Sequence, residues 1–286
     1  MNFIETTDDI TLLELALKED LGTPQRDITS ETLLGDDTNT KTAIIISKHP
    51  TTAIVCGIKL LPVLLEHANT TIALRIHIDD GECVAPGETL VTLEGVASDI
   101  LRIERIALNL LCYLSGIATL TREYVDAVAG SNMQIMDTRK TLPGFRHLAK
   151  YAVQVGGGAN HRMGLYDAMM VKDTHVDLLG GMRNVLKHIP LDRDYPVIIE
   201  VRELDELAII LDEGGGRVDR VLLDNMSPQE LTKAVKIINN QMPAEASGNI
   251  NLNNVSAIAK TGVNIASIGK LTHSPKHIDL SLKMTP

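Results

Sequence analysis

The sequence has few aromatic residues and no excess of positive charge. It contains no tryptophan, two phenylalanines and five tyrosines among 286 residues, so its core has to be built from aliphatic side chains. It therefore lacks the aromatic platforms on which single-stranded nucleic acids stack. The net charge of −10 also argues against general nucleic-acid binding, which needs a basic surface. We expect no nucleic-acid partner.

Cysteine usage and the lack of long apolar runs predict a cytoplasmic protein. The three cysteines, Cys56, Cys83 and Cys112, show no CxxC spacing, which favours reduced thiols. The first nine residues contain Glu5 and Asp8 and no basic segment followed by an apolar run, so we expect no signal peptide. No uncharged apolar stretch is long enough to cross a bilayer, and we expect no membrane partner.

The first half of the chain mixes helical and strand patterns. Helical spacing of apolar residues marks residues 10–17, 59–67 and 99–129, and strand-like runs occupy residues 42–47, 52–58 and 72–78. Residues 80–90 contain a Pro86-Gly87 turn, across which two short strands are expected to pair. This segment also resembles lipoyl and biotinyl carrier modules, but it has no lysine at the hairpin tip to carry a cofactor. A carrier-like or purely structural module is the alternative for this half.

After residue 130 the pattern changes to short apolar strands that alternate with helices. Strands are predicted at residues 134–136, 168–171, 197–199, 218–223 and 265–269, and helices at residues 204–211 and 228–238. The second of these helices has Ser227 as its predicted N-cap, with Pro228 and Glu230 in its first turn. Such alternation predicts an α/β fold with a parallel sheet, and about six repeats suggest an incomplete (β/α) barrel.

Polar residues follow the predicted barrel strands, where the active-site face of such a barrel lies. They are Arg139, Lys140, Lys172, Glu200, Asp224, Glu245 and His273. Each of them could instead cap the next helix, but this alternative is weaker for Asp224 because Ser227 already supplies a cap. The cations come from the earlier strands and the carboxylates from the later ones. Guanidinium groups suit carboxylates or phosphates, whereas carboxylates suit Mg²⁺ or ribose hydroxyls.

Glycine and histidine patterns add little by themselves. The run EASGN at 245–249 resembles a phosphate cradle, because glycine lets backbone N–H groups approach an oxyanion. The GGG triplets at 156–158 and 214–216 match neither a P-loop nor a dinucleotide-binding motif, and the second is interpreted as a plain loop. His147, His161 and His175 form no recognised zinc spacing.

Further short motifs are spread along nearly the whole chain. The second half contains DTRKT at 137–141, PG at 143–144, KYAV at 150–153, GGG at 156–158, NHRMGLYD at 160–167, KD at 172–173, EV at 200–201, LDN at 223–225, EASG at 245–248 and LTHS at 271–274. The first half contains EDLG at 19–22, DIT at 27–29, ER at 104–105, ALN at 107–109 and LSGIAT at 114–119. In combination these motifs resemble the signature of the quinolinate phosphoribosyltransferase family.

The resemblance implies both a fold and an activity. The expected fold is α/β, with an N-terminal α/β sandwich at 1–115, to which 275–286 are suggested to return, and an incomplete barrel of about six parallel strands at 116–274. The expected enzyme is a decarboxylating pentosyltransferase of NAD biosynthesis. It converts quinolinate and 5-phosphoribosyl 1-pyrophosphate (PRPP) to nicotinate mononucleotide, CO2 and pyrophosphate. A head-to-tail homodimer with shared active sites is expected, and a higher oligomer is left open.

The resemblance also assigns roles to residues. Quinolinate would be bound by Arg105, Thr138, Arg139, His161, Arg162 and Lys172, with Arg105 reaching the neighbouring subunit's site. PRPP would be bound by Lys140, Glu200, Asp224, Glu245, Ser247, Gly248, Asn249, Gly269 and His273. Among these, Lys140, Glu200 and Asp224 would be catalytic, and Glu200 and Asp224 would hold Mg²⁺.

Two departures from the family pattern and two rival families keep alternatives open. Thr174 stands where asparagine is expected, and Arg202 stands where a smaller or acidic residue is commoner. One rival is a relative from molybdenum-transport operons, and the other is a nicotinate-specific phosphoribosyltransferase. Both would call for fewer cations than a dicarboxylate requires, so Lys172 is the residue that favours the quinolinate enzyme.

Overall fold

The computed structural model describes residues 6–285 and has a mixed α/β fold. Residues 1–5, on which part of the signal-peptide expectation rests, lie outside the described residues. Within the described part, unit 1 comprises residues 6–122, 141–157 and 271–285, and unit 2 comprises residues 123–140 and 158–270. The sequence-based boundaries at 115 and 274 stay a prediction.

The secondary-structure elements are numbered in chain order. The helices are α1 (Thr7–Leu21), α2 (Ile28–Leu33), α3 (Leu60–His67), α4 (Ala97–Ala127), α5 (Arg146–Val155), α6 (Asp173–Leu178), α7 (Met182–His188), α8 (Leu204–Glu213), α9 (Pro228–Ile238), α10 (Val255–Ala259) and α11 (Lys270–His273). The strands are β1 (Thr40–Ser47), β2 (Ala53–Ile54), β3 (Ala73–Ile76), β4 (Cys83–Val84), β5 (Thr89–Val96), β6 (Gln134–Met136), β7 (Met169–Val171), β8 (Val197–Val201), β9 (Arg220–Asp224), β10 (Ala244–Ser247), β11 (Ile265–Ser267) and β12 (Leu280–Thr285).

Unit 1 contains a four-stranded antiparallel sheet in the order β12-β1-β5-β3. In β1, Ala43, Ile45 and Ser47 are buried and alternate with less buried residues, as expected for a sheet with one face on the core. The final strand of the chain pairs with β1, so that Ala43 lies opposite Met284. The sheet therefore joins residues from both ends of the chain.

The helix predicted at 10–17 is confirmed and extends in both directions as α1. It begins at a capping box in which Asp9 N–H donates to Thr6 Oγ1 at 3.2 Å, while Thr6 N–H donates back to the Asp9 carboxylate at 3.0 Å. Leu13, Leu17 and Leu21 are buried at helical spacing, which gives the helix its core-facing side.

Two expectations for the strands of unit 1 are wrong. The short strands around Pro86-Gly87 do not pair with each other, because β4 pairs with β2 while β5 pairs with β1 and β3. The strand predicted at 52–58 is only Ala53–Ile54. Side chains of α4 take the place of a ladder there, since Ile54 N–H donates to Thr119 Oγ1 and Cys56 N–H donates to Ser115 Oγ, both at 2.9 Å.

Unit 2 is built on six parallel strands in the order β6-β11-β10-β9-β8-β7. The predicted α/β fold with about six parallel strands is confirmed. The edge strands β6 and β7 are not paired with each other, and a single bridge joins Met136 to Ala159 beside the opening. Arg220 on β9 lies 3.7 Å from the sulfur of Met136 on β6, with two strands between them. The sheet therefore curves around its inward-facing side chains, as an incomplete barrel does.

The helix predicted at 228–238 is confirmed with its cap. Glu230 N–H donates to Ser227 Oγ at 3.3 Å, and Ser227 N–H donates to the Glu230 carboxylate at 2.7 Å. Because Ser227 carries out the capping, Asp224 is left at the end of β9 with no capping role in α9.

One helix within residues 6–285, α4, is long and apolar enough to cross a membrane by length and composition. Of its most apolar 18-residue window, 67% is buried inside the protein. Such burial is typical of the core helix of a globular domain.

Candidate active site

A pocket of about 290 Å³ lies at the carboxyl ends of the unit 2 strands. Its lining includes ten residues predicted from the sequence: Thr138, Arg139, Lys140, His161, Arg162, Lys172, Glu200, Asp224, Glu245 and Ser247. Met170, Leu222 and Ser267 complete the lining. The separate strand ends of the sequence therefore meet in one place, as expected for parallel strands around a barrel.

The alternation of strand residues explains which side chains point inward. In β9, Leu222 and Asp224 both line the pocket, whereas Leu223 between them does not. Ser247 of β10 lies in register with Asp224 on one side and with Ser267 of β11 on the other. Because successive strand residues face opposite sides, this register brings the polar ends of neighbouring strands to the same depth.

The cationic side of the pocket is crowded. Burial lowers the pKa of Arg162, and the nearby charge of Arg139 lowers it further, with partial opposition from Asp167. Arg162 Nη1 donates to the carbonyl oxygen of Ala168 at 3.0 Å, which fixes part of the guanidinium. An anionic ligand would relieve the repulsion between the two arginines.

Two carboxylates, Glu200 and Asp224, line the same pocket. Burial raises the pKa of Glu200, and the charges of Asp224 and Asp173 raise it further, while Lys172 acts in the other direction. Asp224 accepts a hydrogen bond from Asn225 Nδ2 at 2.6 Å. Two neighbouring carboxylates that destabilise each other's charge are stabilised by a cation or by hydroxyl donors between them.

The loop after β10 depends on a glycine. Gly248 has φ +91°, and a Cβ at this position would overlap the side chain of Asn225. Asn249 Nδ2 donates to Asn225 Oδ1 at 3.1 Å, which ties the loop to the end of β9. The backbone can pass so close to Asn225 only without a side chain, although Gly248 and Asn249 are not part of the pocket lining.

Three other predicted residues also lie away from the pocket lining. Arg105 is an exposed residue of α4 in unit 1. His273 ends α11 in unit 1, where its Nδ1 lies 2.6 Å from Ser274 Oγ, and Gly269 follows β11 in unit 2. Their assigned roles stay predictions.

Arg105 lines a separate groove of about 550 Å³ within unit 1, which we call the unit 1 groove. Its lining comprises Leu12, Leu13, Leu15, Ala16, Glu19, Asp20, Arg105, Ile106, Asn109, Leu110, Tyr113, Leu142, Phe145 and His277. Most of these side chains are apolar, and Leu15 and Leu142 expose more than half of their surface.

Sequence reasoning missed two charged residues next to the pocket. Asp137 is fully buried and accepts a hydrogen bond from His161 N–H at 2.9 Å. Arg220 Nε lies 3.1 Å from the carboxylate of Glu245. A signal for Arg220 was available, since it precedes Leu222 and Asp224 at a period of two and therefore shares their inward face.

The two departures from the family pattern lie outside the pocket lining. Arg202 is exposed and forms ion pairs with Asp177 at 3.1 Å and Glu206 at 3.2 Å. Thr174 is exposed on α6, and its N–H donates to Asp173. Their effect on affinity stays an open question for measurement.

Comparison with known protein families covers both halves of the chain. A family model described as Quinolinate phosphoribosyl transferase, C-terminal domain, matches residues 117–283. A second, described as Quinolinate phosphoribosyl transferase, N-terminal domain, matches residues 27–115. The chain belongs to the quinolinate phosphoribosyltransferase family.

Individual members of this family are similar over nearly the full length. The chloroplastic Nicotinate-nucleotide pyrophosphorylase (carboxylating) of Arabidopsis thaliana is 37% identical over 98% of this chain and 83% of its own length. A probable enzyme of the same name from Bacillus subtilis is 36% identical over 96% of this chain and 92% of its own. The solved nicotinate-nucleotide pyrophosphorylase from Francisella tularensis has a TM-score of 0.87 at 36% identity, with 98% of each chain covered.

Proposed function

We propose that this quinolinate phosphoribosyltransferase family member transfers the phosphoribosyl group of PRPP to quinolinate. The products are nicotinate mononucleotide, CO2 and pyrophosphate, which makes the reaction a step of NAD biosynthesis. The observation that carries the proposal is a single pocket lined by four cations, Arg139, Lys140, Arg162 and Lys172, and by the carboxylates of Glu200 and Asp224.

The cations match the two carboxylates of the pyridine substrate. Arg139 and Arg162 can each pair bidentately with a carboxylate, and their mutual repulsion favours an anion between them. Lys172 supplies a further charge, so the site suits a dicarboxylate better than a monocarboxylate. Thr138 lines the same side and offers a hydroxyl donor.

The acidic side suits the sugar phosphate and a magnesium ion. Glu200 and Asp224 can accept hydrogen bonds from ribose hydroxyls, and Lys140 and Ser247 can meet phosphate oxygens. Among residues 6–285 no group of three or more histidine, cysteine, aspartate or glutamate residues is placed to hold a metal. Two carboxylates completed by diphosphate and water oxygens are nevertheless an ordinary magnesium environment. Mg²⁺ would neutralise charge on the departing diphosphate.

The reaction needs positioning and charge stabilisation rather than a protein nucleophile. The pyridine nitrogen forms a bond to the anomeric carbon of the ribose as the bond to pyrophosphate breaks, and the negative charge leaves with pyrophosphate. The pyridinium ring then accepts the electron pair of the adjacent carbon–carboxylate bond as CO2 departs. A proton takes the place of CO2 on the ring. Lys140 is suited to stabilise the leaving charge.

We also propose that the enzyme is a homodimer, and that the unit 1 groove receives a second copy of the chain. The unit 1 groove is largely apolar and includes the exposed side chains of Leu15 and Leu142. Exposure of such a surface to water is unfavourable, so the groove suits a protein partner. Arg105 projects a charge at this same groove, where it could act on a neighbouring subunit. A higher oligomer is a further alternative that sedimentation would detect.

A cytoplasmic location is the remaining proposal. The three cysteines are free, which fits a reducing compartment. The Arabidopsis relative is named as chloroplastic, so the compartment is best tested directly. Fractionation of the native host with an antibody against this chain would place it, and recovery in an organelle or membrane fraction would contradict the proposal.

The decisive experiment compares two pyridine substrates. With PRPP and Mg²⁺, the protein should release CO2 from quinolinate and form nicotinate mononucleotide, as monitored by loss of quinolinate absorbance. It should turn over nicotinate far more slowly, because the single carboxylate leaves a pocket cation without a partner. Comparable kcat/KM values for the two acids would contradict the quinolinate assignment, and a higher value for nicotinate would favour a nicotinate-specific enzyme. No turnover of either acid would contradict both assignments.

A further inference from the structure

Glu245 is fully buried, whereas Glu200 and Asp224, the other carboxylates that line the pocket, are half-buried. In the strand register it is level with Leu222, whereas Ser247 is level with Asp224 at the carboxyl end. Two residues along a strand correspond to about 6.6 Å. Glu245 borders the floor of the pocket, but its side chain has 0% exposed surface. A sugar phosphate could therefore reach it only by displacing the groups around it.

The carboxylate of Glu245 is held by two side chains. Its Oε2 lies 3.1 Å from Arg220 Nε, and its Oε1 lies 3.4 Å from His161 Nε2. Arg220 Nη2 is 3.3 Å from the same histidine nitrogen, and Arg220 Nη1 lies 3.7 Å from the sulfur of Met136. The three charged or titratable groups form one compact cluster, which we call the Glu245 cluster.

The backbone around His161 determines which ring nitrogen carries the proton. Arg162 N–H donates to His161 Nδ1 at 2.8 Å, so Nδ1 is an acceptor and the neutral ring carries its proton on Nε2. That proton faces the carboxylate of Glu245. Both ring nitrogens are thus engaged within the protein.

The groups around Glu245 offset the effect of burial on its pKa. Burial by itself would raise the pKa of Glu245, but the hydrogen bond from His161 and the charge of Arg220 bring it below its ordinary value. Ser267, from β11, contributes a further hydrogen bond in the same direction. The groups that face Glu245 from β9, β11 and the segment after α5 thus favour an ionised carboxylate.

The same segment carries Arg162 into the pocket. His161 N–H donates to buried Asp137 at 2.9 Å, and the His161 ring is fixed between the backbone N–H of Arg162 and Glu245. His161 is therefore held both at its backbone and at its ring, immediately before Arg162 in the chain. Any change in the orientation of the histidine ring alters the hydrogen bond that Arg162 N–H makes.

We propose that Glu245 and Arg220 are positioning residues, which hold His161 in one tautomer and orientation and thereby position Arg162 for the anionic pyridine substrate. This inference rests on the proposed function and deepens it. It is an alternative to the expectation that Glu245 binds PRPP, and in it neither Glu245 nor Arg220 touches the reacting atoms.

A substitution of Arg220 tests the Glu245 cluster without changing a residue of the catalytic pocket. It is absent from the catalytic pocket lining and instead lines a cavity of about 410 Å³, together with His161, Arg162, Pro196 and Pro243. A change at Arg220 therefore perturbs Glu245 without altering a residue that lines the catalytic pocket. Direct loss of a substrate contact is not expected.

The experiment measures KM for each substrate in Arg220→Met, Glu245→Gln and the double variant. Each single variant should raise KM for quinolinate by about tenfold or more, because a charged hydrogen-bonding group loses its partner. KM for PRPP should stay within about twofold. The double variant should be less impaired than Glu245→Gln alone, because it leaves no unpaired buried charge.

The pH dependence separates positioning from a general structural defect. Without Arg220 the pKa of Glu245 rises, so Glu245 becomes protonated as the pH falls and its support of His161 is lost. The quinolinate KM of Arg220→Met, relative to wild type, should therefore increase as the pH is lowered. In Glu245→Gln the same ratio should not change with pH, because no titrating group remains at that position.

Arg193→Met is the matched control, since Arg193 forms a comparable ion pair with Asp219 at 2.6 Å but does not contact His161. An Arg220→Met variant with the kinetics of Arg193→Met would overturn the proposal. So would a Glu245→Gln variant that raises KM for PRPP instead of quinolinate. If a single variant does not fold, the double variant takes its place, and unchanged quinolinate KM in it would also overturn the proposal.

A measurement that does not depend on catalysis tests the positioning inference separately from the proposed function. ¹⁵N NMR of the histidine rings, with the His161→Asn variant for assignment, should show His161 protonated at Nε2 in the wild type. The signal should change in Arg220→Met and stay unchanged in Arg193→Met. Failure of the wild type to use quinolinate would end the proposed function, whereas an Nδ1-protonated His161 would end the positioning inference.

Discussion

At the scale of single residues, Asp224 is the carboxylate that most directly tests the magnesium and PRPP assignment. We predict that Asp224→Asn raises KM for PRPP and the Mg²⁺ concentration for half-maximal rate, each by roughly tenfold, because it removes one of two cation-binding carboxylates. The dissociation constant for quinolinate, measured by calorimetry, should stay within about twofold. Asp212→Asn, at an exposed position of α8, is the control and should have wild-type kinetics.

The opposite result for Asp224→Asn would be informative. If quinolinate binding collapses while the Mg²⁺ and PRPP requirements stay as in the wild type, the two sides of the pocket have been assigned the wrong way round. Because Asn225 Nδ2 donates to Asp224 at 2.6 Å, the amide of the variant can flip to keep one acceptor toward Asn225. The substitution therefore removes charge with little change of shape.

The sequence was sufficient to predict ten of the residues that line the pocket but not how deep each lies. The carboxyl ends of parallel strands share one edge, so the polar residues after each apolar run could be placed together from the order of the chain. Glu245 and Ser247 both belong to the end of one strand, yet one is fully buried and the other lines the accessible region. That difference depends on the side chains of Arg220 and His161, which pack against Glu245 from other segments and which no local pattern encodes.

At the scale of secondary-structure elements, α9 offers a stability test that is independent of catalysis. We predict that Ser227→Ala lowers the free energy of unfolding by about 1 kcal/mol, because it removes the acceptor for Glu230 N–H at the N-cap. Urea denaturation followed by circular dichroism measures the change. Thr232→Ala on the same helix removes only a hydroxyl that donates to Pro228 O, and it should change stability much less. Equal losses in the two variants would contradict the capping role.

Elements defined by local signals were predicted well, whereas strand partners were not. The capping residues and apolar spacing of α9 lie within a dozen positions, and the predicted and observed bounds coincide. The strands β4 and β5 are separated by a tight turn, but each finds its partner elsewhere. Likewise, the backbone N–H groups of Ile54 and Cys56 donate to hydroxyl groups of α4 and not to a neighbouring strand. These hydroxyl groups lie about sixty residues away in the chain. Such choices depend on tertiary contacts that sequence periodicity does not contain.

At the scale of the whole molecule, Arg105 raises the question of how the enzyme assembles. It lies on α4 in unit 1 and lines the unit 1 groove, whereas the ten pocket residues predicted from the sequence all belong to unit 2. An exposed arginine in an apolar groove suits a surface that a second subunit covers. Donation of Arg105 to the site of a neighbouring subunit would account for both its exposure and its expected role.

Mixing two inactive variants tests this assembly. Arg105→Ala and Lys172→Ala should each lose most activity, and each should remain a folded dimer by sedimentation. If Arg105 acts on the neighbouring subunit, a heterodimer contains one site with both defects and one site with neither. With random exchange about half of the dimers are mixed, so about a quarter of the wild-type activity per site should return.

Exchange has to be demonstrated separately with differently tagged subunits, and Arg105→Ala mixed with itself is the control. A mixture that exchanges subunits but stays inactive would place Arg105 in the active site of its own subunit, and the shared-site proposal would then have to be abandoned.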